Sequence, residues 1–143
     1  DQGGELAHGY TYSGHPVCAA VALENIRILQ DEKIVETCKN ETGPYLAERW
    51  KQLGEHPLVG EARIAGMVGA LELVPDKSVR RFFEDRGKVG TLCRTMALKN
   101  GLILRATYDS MLLSPPLTIN RTEIDELFEK AWKSLNETAE AIA

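Results

Sequence analysis

Two apolar runs, 58–64 (Leu58 to Ile64) and 67–74 (Met67 to Val74), stand so close together, with Gly66 at their junction, that no helix can cross between them. They therefore pair antiparallel, as a hairpin or a bent ribbon. In the second run Val68, Ala70, Glu72 and Val74 share one face, and Met67, Gly69, Leu71 and Leu73 share the other. Glu72, the lone carboxylate of that run, reads as an exposed-face residue. Around this pair the patterning runs helix, helix, strand, strand, helix, strand, strand, helix. That order implies an α+β fold in which a short, mainly antiparallel sheet packs against helices.

The helical segments carry their own signals. Residues 15 to about 30 are apolar around most of the circumference, which predicts a largely buried helix; Glu24, Asn25 and Arg27 begin a polar side. Asp31-Glu32-Lys33 breaks it. A second helix runs from Ile34 to about Leu53, with Val35, Cys38, Leu46, Trp50 and Leu53 on its buried side, a kink or break at Gly43-Pro44 and a C-terminal cap at Gly54. Residues 75–87 read as a charged surface loop anchored by Phe82-Phe83. A third helix, Val89 to Asn100, buries Val89, Leu92, Cys93, Met96 and Ala97 and stops at Asn100-Gly101. Short strands follow at Leu102–Arg105 and Met111–Ser114, with a polar loop over 106–110 between them. The last helix, from about Thr122 to Ala141, starts with a capping box of Thr122 and Asp125 and buries Ile124, Leu127, Phe128, Ala131, Trp132 and Leu135.

The charge balance narrows the function. A formal net charge of −4 leaves no basic excess for nucleic acid or an anionic membrane. No apolar run approaches the roughly 20 residues of a membrane span. Cys18, Cys38 and Cys93 form no C-x-x-C pair, and they read as buried, reduced thiols of a cytoplasmic protein. His8, His15 and His56 lack metal-ligand spacing and read as loop or cap residues, so no metal site is expected. The chain begins at Asp1 without a methionine or a signal peptide, which points to a piece cut from a longer protein.

Chemistry shows at two places. The first is His8-Gly9-Tyr10-Thr11-Tyr12-Ser13-Gly14-His15-Pro16, a hydroxyl-rich loop running into a helix. Pro16 suits a first helical position, and Ser13 or Gly14 can cap. The free N–H groups of such a helix start can hold a phosphate, although the residues alone read equally as an ordinary capped helix start after a turn. The stretch HGYTYSGHPVCAAVALENIRIL resembles the segment of class III, fold-type I pyridoxal-phosphate aminotransferases that follows their catalytic lysine, in the ω-amino acid or amine:pyruvate transaminase branch. The resemblance implies that Thr11 hydrogen-bonds the cofactor phosphate of a neighbouring subunit and that Tyr10 lines that neighbour's site. It therefore implies a homodimer with a shared site.

The second place is Arg105, which ends the apolar run Leu102-Ile103-Leu104. An arginine there must snorkel, pair in a structural salt bridge, or face a cavity as a carboxylate clamp. NGLILRATYDSMLLSPPLTINRTEIDEL resembles the C-terminal signature of the same family, in which the arginine at the position of Arg105 receives the substrate carboxylate and swings aside for amines that lack one. The 58–74 ribbon resembles the family's V-R-G-x-G-L turn less closely, because Ile64 stands where the first glycine usually lies. None of the lysines here sits in the family's lysine motif, and all read as solvated surface charges. The resemblance thus implies the small C-terminal domain of a fold-type I enzyme. Residues 1–14 would be a loop of the cofactor-site region of the large domain, and 15–143 the small domain with its connecting helix. The whole enzyme would move an amino group from an amine or ω-amino acid to pyruvate, and the 143 residues alone would be inactive. An aminomutase or decarboxylase of the same superfamily is the alternative chemistry, and a non-enzymatic α+β interaction module the alternative class.

Overall fold

The computed structural model describes residues 9–79 and 81–143, in two compact units that divide between Ile34 and Val35. The first unit holds a turn over 11–14 and helix α1 (Pro16–Asp31). Pro16 takes a first-turn position as expected, but the helix cap is His15, which makes no side-chain cap bond. Ser13 is occupied elsewhere: its Oγ accepts from the Tyr10 N–H at 2.9 Å, and its own N–H donates to the Tyr10 carbonyl at 2.9 Å. Gly14 follows at φ 76°, a left-handed conformation open to glycine, and turns the chain into the helix. The expected burial of α1 is not found. None of its residues is buried, and Val17, Val21, Leu23 and Ile26 are all at least half exposed. Cys18 is exposed as well, against the expectation of a buried thiol.

A helical run beginning at Ile34 leads into the second unit, and its break is a widened turn. Helix α2 (Ile34–Thr37) passes into a π-turn (Cys38–Thr42) and then into α3 (Gly43–Gln52). Pro44 has no N–H, and its ring would crowd the carbonyl four residues back. The chain accommodates it by letting the Gly43 N–H reach the Cys38 carbonyl, five residues back. Only glycine fits at 43, since a Cβ there would lie 2.3 Å from the Cys38 carbonyl oxygen. Leu46 and Trp50 of α3 are buried, as is Leu53 in the 3-10 turn that follows (Leu53–Glu55). Gly54 is not the left-handed cap expected. The Lys77 ammonium donates to the Gly54 carbonyl at 2.6 Å and to the His56 carbonyl at 3.2 Å, so this lysine closes the end of the helix rather than standing free in solvent.

The sheet has four strands, β1 (Val59–Ala65), β2 (Val68–Leu73), β3 (Arg105–Thr107) and β4 (Ser110–Leu113), ordered β1-β2-β4-β3 with every pair antiparallel. Gly66, at φ 56°, makes the tight β1–β2 turn. The second hairpin is shifted from expectation. Leu102 to Leu104 precede the strand rather than forming it, and Ala106, Thr107 and Ser110 pair in the sheet rather than looping over it. Leu102 and Leu104 are buried while Ile103 is exposed, so this stretch supplies core contacts without a ladder.

One sheet face carries Gly69, Leu71, Leu73, Met111 and Leu113, all buried, and the core closes over it with Trp50 of α3, Cys93 and Ala97 of α4 (Lys88–Lys99) and Ile124, Ala131 and Leu135 of α5 (Arg121–Ile142). Gly69 makes room for the Trp50 indole, as a Cβ there would lie 2.7 Å from Nε1; that N–H donates to the Arg63 carbonyl at 3.0 Å. α4 buries the expected face and ends before left-handed Gly101. The cap of α5 is two residues earlier than expected, at Asn120 rather than Thr122. The Asn120 side chain accepts from the Glu123 N–H at 3.0 Å, and Glu123 Oε2 accepts from the Asn120 N–H at 2.9 Å. Glutamate has the reach that aspartate lacks for this reciprocal pair. Asp125 faces α3 instead, where it accepts from the Tyr45 hydroxyl at 2.7 Å and lies 2.9 Å from Arg49 Nε.

His56 is a buried histidine with a fixed tautomer. Its Nδ1 accepts from the Leu58 N–H at 3.1 Å, so Nε2 carries the proton and donates to Asn136 Oδ1 at 3.1 Å. Its ring meets Trp132 edge-on. Burial holds its pKa below the ordinary value, and the Lys77 charge adds to this, against the hydrogen bond to Asn136, which acts the other way. A histidine whose folded pKa is lowered leaves the unfolded chain binding more protons, so stability rises with pH across that window. Its contribution is complete above about pH 6.5 and is lost as the pH falls from there through the folded value. Urea unfolding should therefore show a lower midpoint at pH 5.5 than at pH 7.5, and His56→Gln should shrink that difference.

Candidate functional site

The two sheet faces differ in kind. Opposite the core, antiparallel register lines up two rows across all four strands. One runs Arg63, Ala70, Leu112, Arg105; the other runs Glu61, Glu72, Ser110, Thr107. At strand spacings of about 4.8 Å the two arginines stand about 14 Å apart along their row.

Their charges are used differently. Arg63 Nη1 lies 2.6 Å from Glu61 Oε2, and Arg63 Nη2 lies 3.4 Å from Glu72 Oε2. Glu72 also accepts from the Ser110 hydroxyl at 2.7 Å, which makes it the satisfied open-face carboxylate expected of it. Arg105 is exposed at the edge of the sheet, and no described residue gives it a hydrogen bond or an ion pair. Of the readings open from sequence, a structural salt bridge therefore has no partner among the described residues. An edge guanidinium beside Leu112, its planar fork unbonded by any described residue, can receive one carboxylate through two parallel hydrogen bonds.

Tyr10 and Thr11 sit together in the turn before α1, and Arg105 belongs to the other unit. Tyr10 is 71% exposed. Thr11 is exposed, and no described residue bonds its hydroxyl. Because α1 has no side-chain cap, the first N–H groups of its apolar first turn are open to an outside acceptor. A helix start without a side-chain cap, with a hydroxyl just ahead of it that no described residue bonds, fits a phosphate group.

One residue of the β3–β4 hairpin escaped the sequence reading. Asp109, in the β3–β4 turn, is buried at 3% exposure. Its Oδ2 accepts from the Gly87 N–H at 2.8 Å and its Oδ1 from the Gly90 N–H at 3.0 Å, capping α4 from a distance. The signal was in the sequence: α4 opens with Gly87-Lys88-Val89-Gly90, which offers no capping side chain, so its orphan N–H groups require an acceptor from elsewhere. Above this turn the Arg86 guanidinium lies 4.3 Å from the Phe82 ring centre and 5.1 Å from that of Tyr108. Among the described residues no cluster of histidine, cysteine, aspartate or glutamate could hold a metal ion, and no helix is long and apolar enough to cross a membrane.

The chain is similar to known proteins along nearly all of its length. The family model for aminotransferase class-III matches residues 2–135. The putrescine–pyruvate aminotransferase of Pseudomonas aeruginosa is 61% identical over 142 residues, which are 99% of this chain and 31% of that protein. Gamma aminobutyrate transaminase 1 of Solanum lycopersicum is 37% identical over 139 residues, covering 97% of this chain and 27% of that protein. The crystal structure of the omega transaminase from Pseudomonas jessenii in complex with PMP superposes with a TM-score of 0.86 at 37% identity, over 94% of this chain and 30% of that one. The chain thus spans less than a third of the length of the relatives it matches.

Proposed function

The chain belongs to the class-III aminotransferases, and on that premise we propose that it is the C-terminal part of a pyridoxal-phosphate-dependent transaminase that moves an amino group from an amine or ω-amino acid to pyruvate. The observation that carries this reading is Arg105, an exposed arginine without a described partner on the open face of the sheet. Pyruvate and its product alanine bear a carboxylate that this fork receives, whereas a simple amine does not. The long side chain lets the guanidinium move aside when the bound substrate has no carboxylate. The likeness to a putrescine–pyruvate aminotransferase favours a diamine as donor.

Pyridoxal phosphate, when bound, supplies the electron sink that amino-group transfer requires. Thr11 donates its hydroxyl to a phosphate oxygen of the cofactor in the neighbouring subunit, beside the open start of α1, and Tyr10 lines the wall of that site. In this reading residues 1–14 belong to the cofactor-site region of the large domain, and 15–143 form the small domain with its connecting helix. The lysine that carries the proton lies outside these 143 residues, so alone they are inactive. The enzyme is a cytoplasmic homodimer.

Removing one hydrogen bond to a charged group costs about 1.5–3 kcal/mol, so Thr11→Ala should weaken cofactor retention about tenfold or more in the full-length protein. Dialysis against a phosphate buffer, with bound cofactor read by absorbance, measures this. Mixed dimers test the sharing. When Thr11→Ala subunits are paired with subunits lacking the cofactor lysine, one fully intact site forms only if Thr11 serves its neighbour. Recovery of activity on mixing supports the reading, and mixtures no more active than the parent dimers sink it.

A further inference from the structure

We propose that Asp109 is a positioning residue for Arg105, fixing the edge strand that presents the guanidinium to the substrate carboxylate; this rests on the reading of Arg105 above. β3 is three residues long and has one neighbour, β4, so three residue pairs hold it on one side and nothing in the sheet holds it on the other. Such a strand is a weak base for a residue that must meet a carboxylate in a fixed geometry. Buried Leu104 holds the chain just before Arg105, and what steadies the strand beyond it is the far end of the hairpin. Both Asp109 carboxylate oxygens are committed to α4, at Gly87 and Gly90, and the Asp109 carbonyl accepts from the Leu73 N–H of β2 at 2.9 Å. The turn between Thr107 and Ser110 is thus clamped at once to a helix start and to a central strand.

The neighbouring backbone shows how close that clamp is. A Cβ on Gly90 would lie 2.0 Å from the Tyr108 carbonyl oxygen, so the helix touches the turn directly. Tyr108 holds φ 50°, a left-handed conformation that is strained for a non-glycine residue and persists only where its surroundings enforce it. Releasing Asp109 removes the anchor on which that conformation depends. β3 can then tilt on β4, and Arg105, at its other end, moves with it.

A merely structural role would slow every reaction of the enzyme together. A positioning role slows only the half-reaction whose substrate has a carboxylate. The test uses the full-length holoenzyme in single turnovers, with L-alanine as the carboxylate-bearing substrate, putrescine as the one without, and cofactor absorbance as the readout. A misplacement near 1 Å can cost up to about a hundredfold in rate. Asp109→Ala is expected to slow the alanine half-reaction about tenfold or more and the putrescine half-reaction less than about threefold. Asp109→Asn, which preserves shape and one acceptor oxygen, should fall between wild type and Asp109→Ala, and it carries the test if the alanine variant does not fold. In an Arg105→Ala background neither substitution should slow alanine further. Equal slowing of both half-reactions overturns the proposal, as does an alanine rate within twofold of wild type or a full additional loss in the Arg105→Ala background. If Arg105→Ala itself slows both half-reactions alike, the reading of Arg105 fails and this proposal falls with it. If Arg105→Ala discriminates and the Asp109 variants do not, only this proposal falls.

Discussion

Arg105→Ala in the full-length enzyme is expected to lower kcat/KM for pyruvate about 10- to 150-fold, with a much smaller loss for an amine donor that has no carboxylate. The range follows from the worth of hydrogen bonds to a charged group, about 1.5–3 kcal/mol, at about 1.4 kcal/mol per tenfold change in rate. Arg63, on the same row, is bound to Glu61 and Glu72 and cannot substitute without breaking those pairs. Arg105→Lys should recover only part of the loss, because an ammonium cannot make the two parallel bonds of a guanidinium fork. Stability should barely change, since the side chain is exposed and no described residue bonds it. Steady-state kinetics with pyruvate varied, beside a thermal unfolding scan, separates the two effects. A variant that unfolds earlier while keeping its pyruvate kinetics would contradict the assignment.

Trp50→Ala should be the most damaging core substitution. Trp50 is 1% exposed, lies in the space that Gly69 leaves open on β2, and bonds the Arg63 carbonyl through its indole N–H. Replacing a buried tryptophan by alanine costs about 3–5 kcal/mol, a large share of the roughly 5–15 kcal/mol by which a native protein is stable. Trp50→Phe keeps most of the apolar volume and loses the donor, for about 1–2 kcal/mol. Urea midpoints should fall in the order wild type, Trp50→Phe, Trp50→Ala. A loss below about 1 kcal/mol for the alanine variant would mean that the sheet does not rest on α3 as described.

Local rules were read well where one residue type decides the matter. Gly66 and the short connection dictated the β1–β2 hairpin, and the antiparallel α+β sheet followed from it. The 3.6-residue spacing of apolar positions gave α4 and α5 their buried faces. Elsewhere, two features with similar local signatures competed. Two helix-start pairs lie within six residues of one another, and the longer reach of Glu123 selects Asn120 over Thr122. The apolar run Leu102-Ile103-Leu104 looks like a strand, but the ladder begins only at Arg105, because β4 has partners for just three residues of β3. α1 has a composition suited to burial, which its surroundings in these residues do not provide.

The candidate site was legible in part for a different reason. Arg105 stood out as a lone arginine in an apolar run, whereas Thr11 was singled out by the family resemblance, its place ahead of a helix only permitting the role. Asp109 did not, because a polar residue in a polar stretch is unremarkable until the fold brings an uncapped helix start, 19 residues earlier in the chain, against it. Lys77 was hidden in the same way, among many surface lysines. What a side chain lacks locally can be read from sequence, but which distant residue supplies it emerges only on folding.

The most direct test of the central claim follows one labelled atom set. Full-length protein loaded with pyridoxal phosphate is mixed with putrescine and carbon-13-labelled pyruvate, and the products are followed by NMR. Amino transfer predicts labelled alanine appearing in step with putrescine loss, with no labelled carbon dioxide. Release of carbon dioxide, a rearranged amine with pyruvate untouched, or no turnover at all would contradict the account and return the chain to the other chemistries of its superfamily.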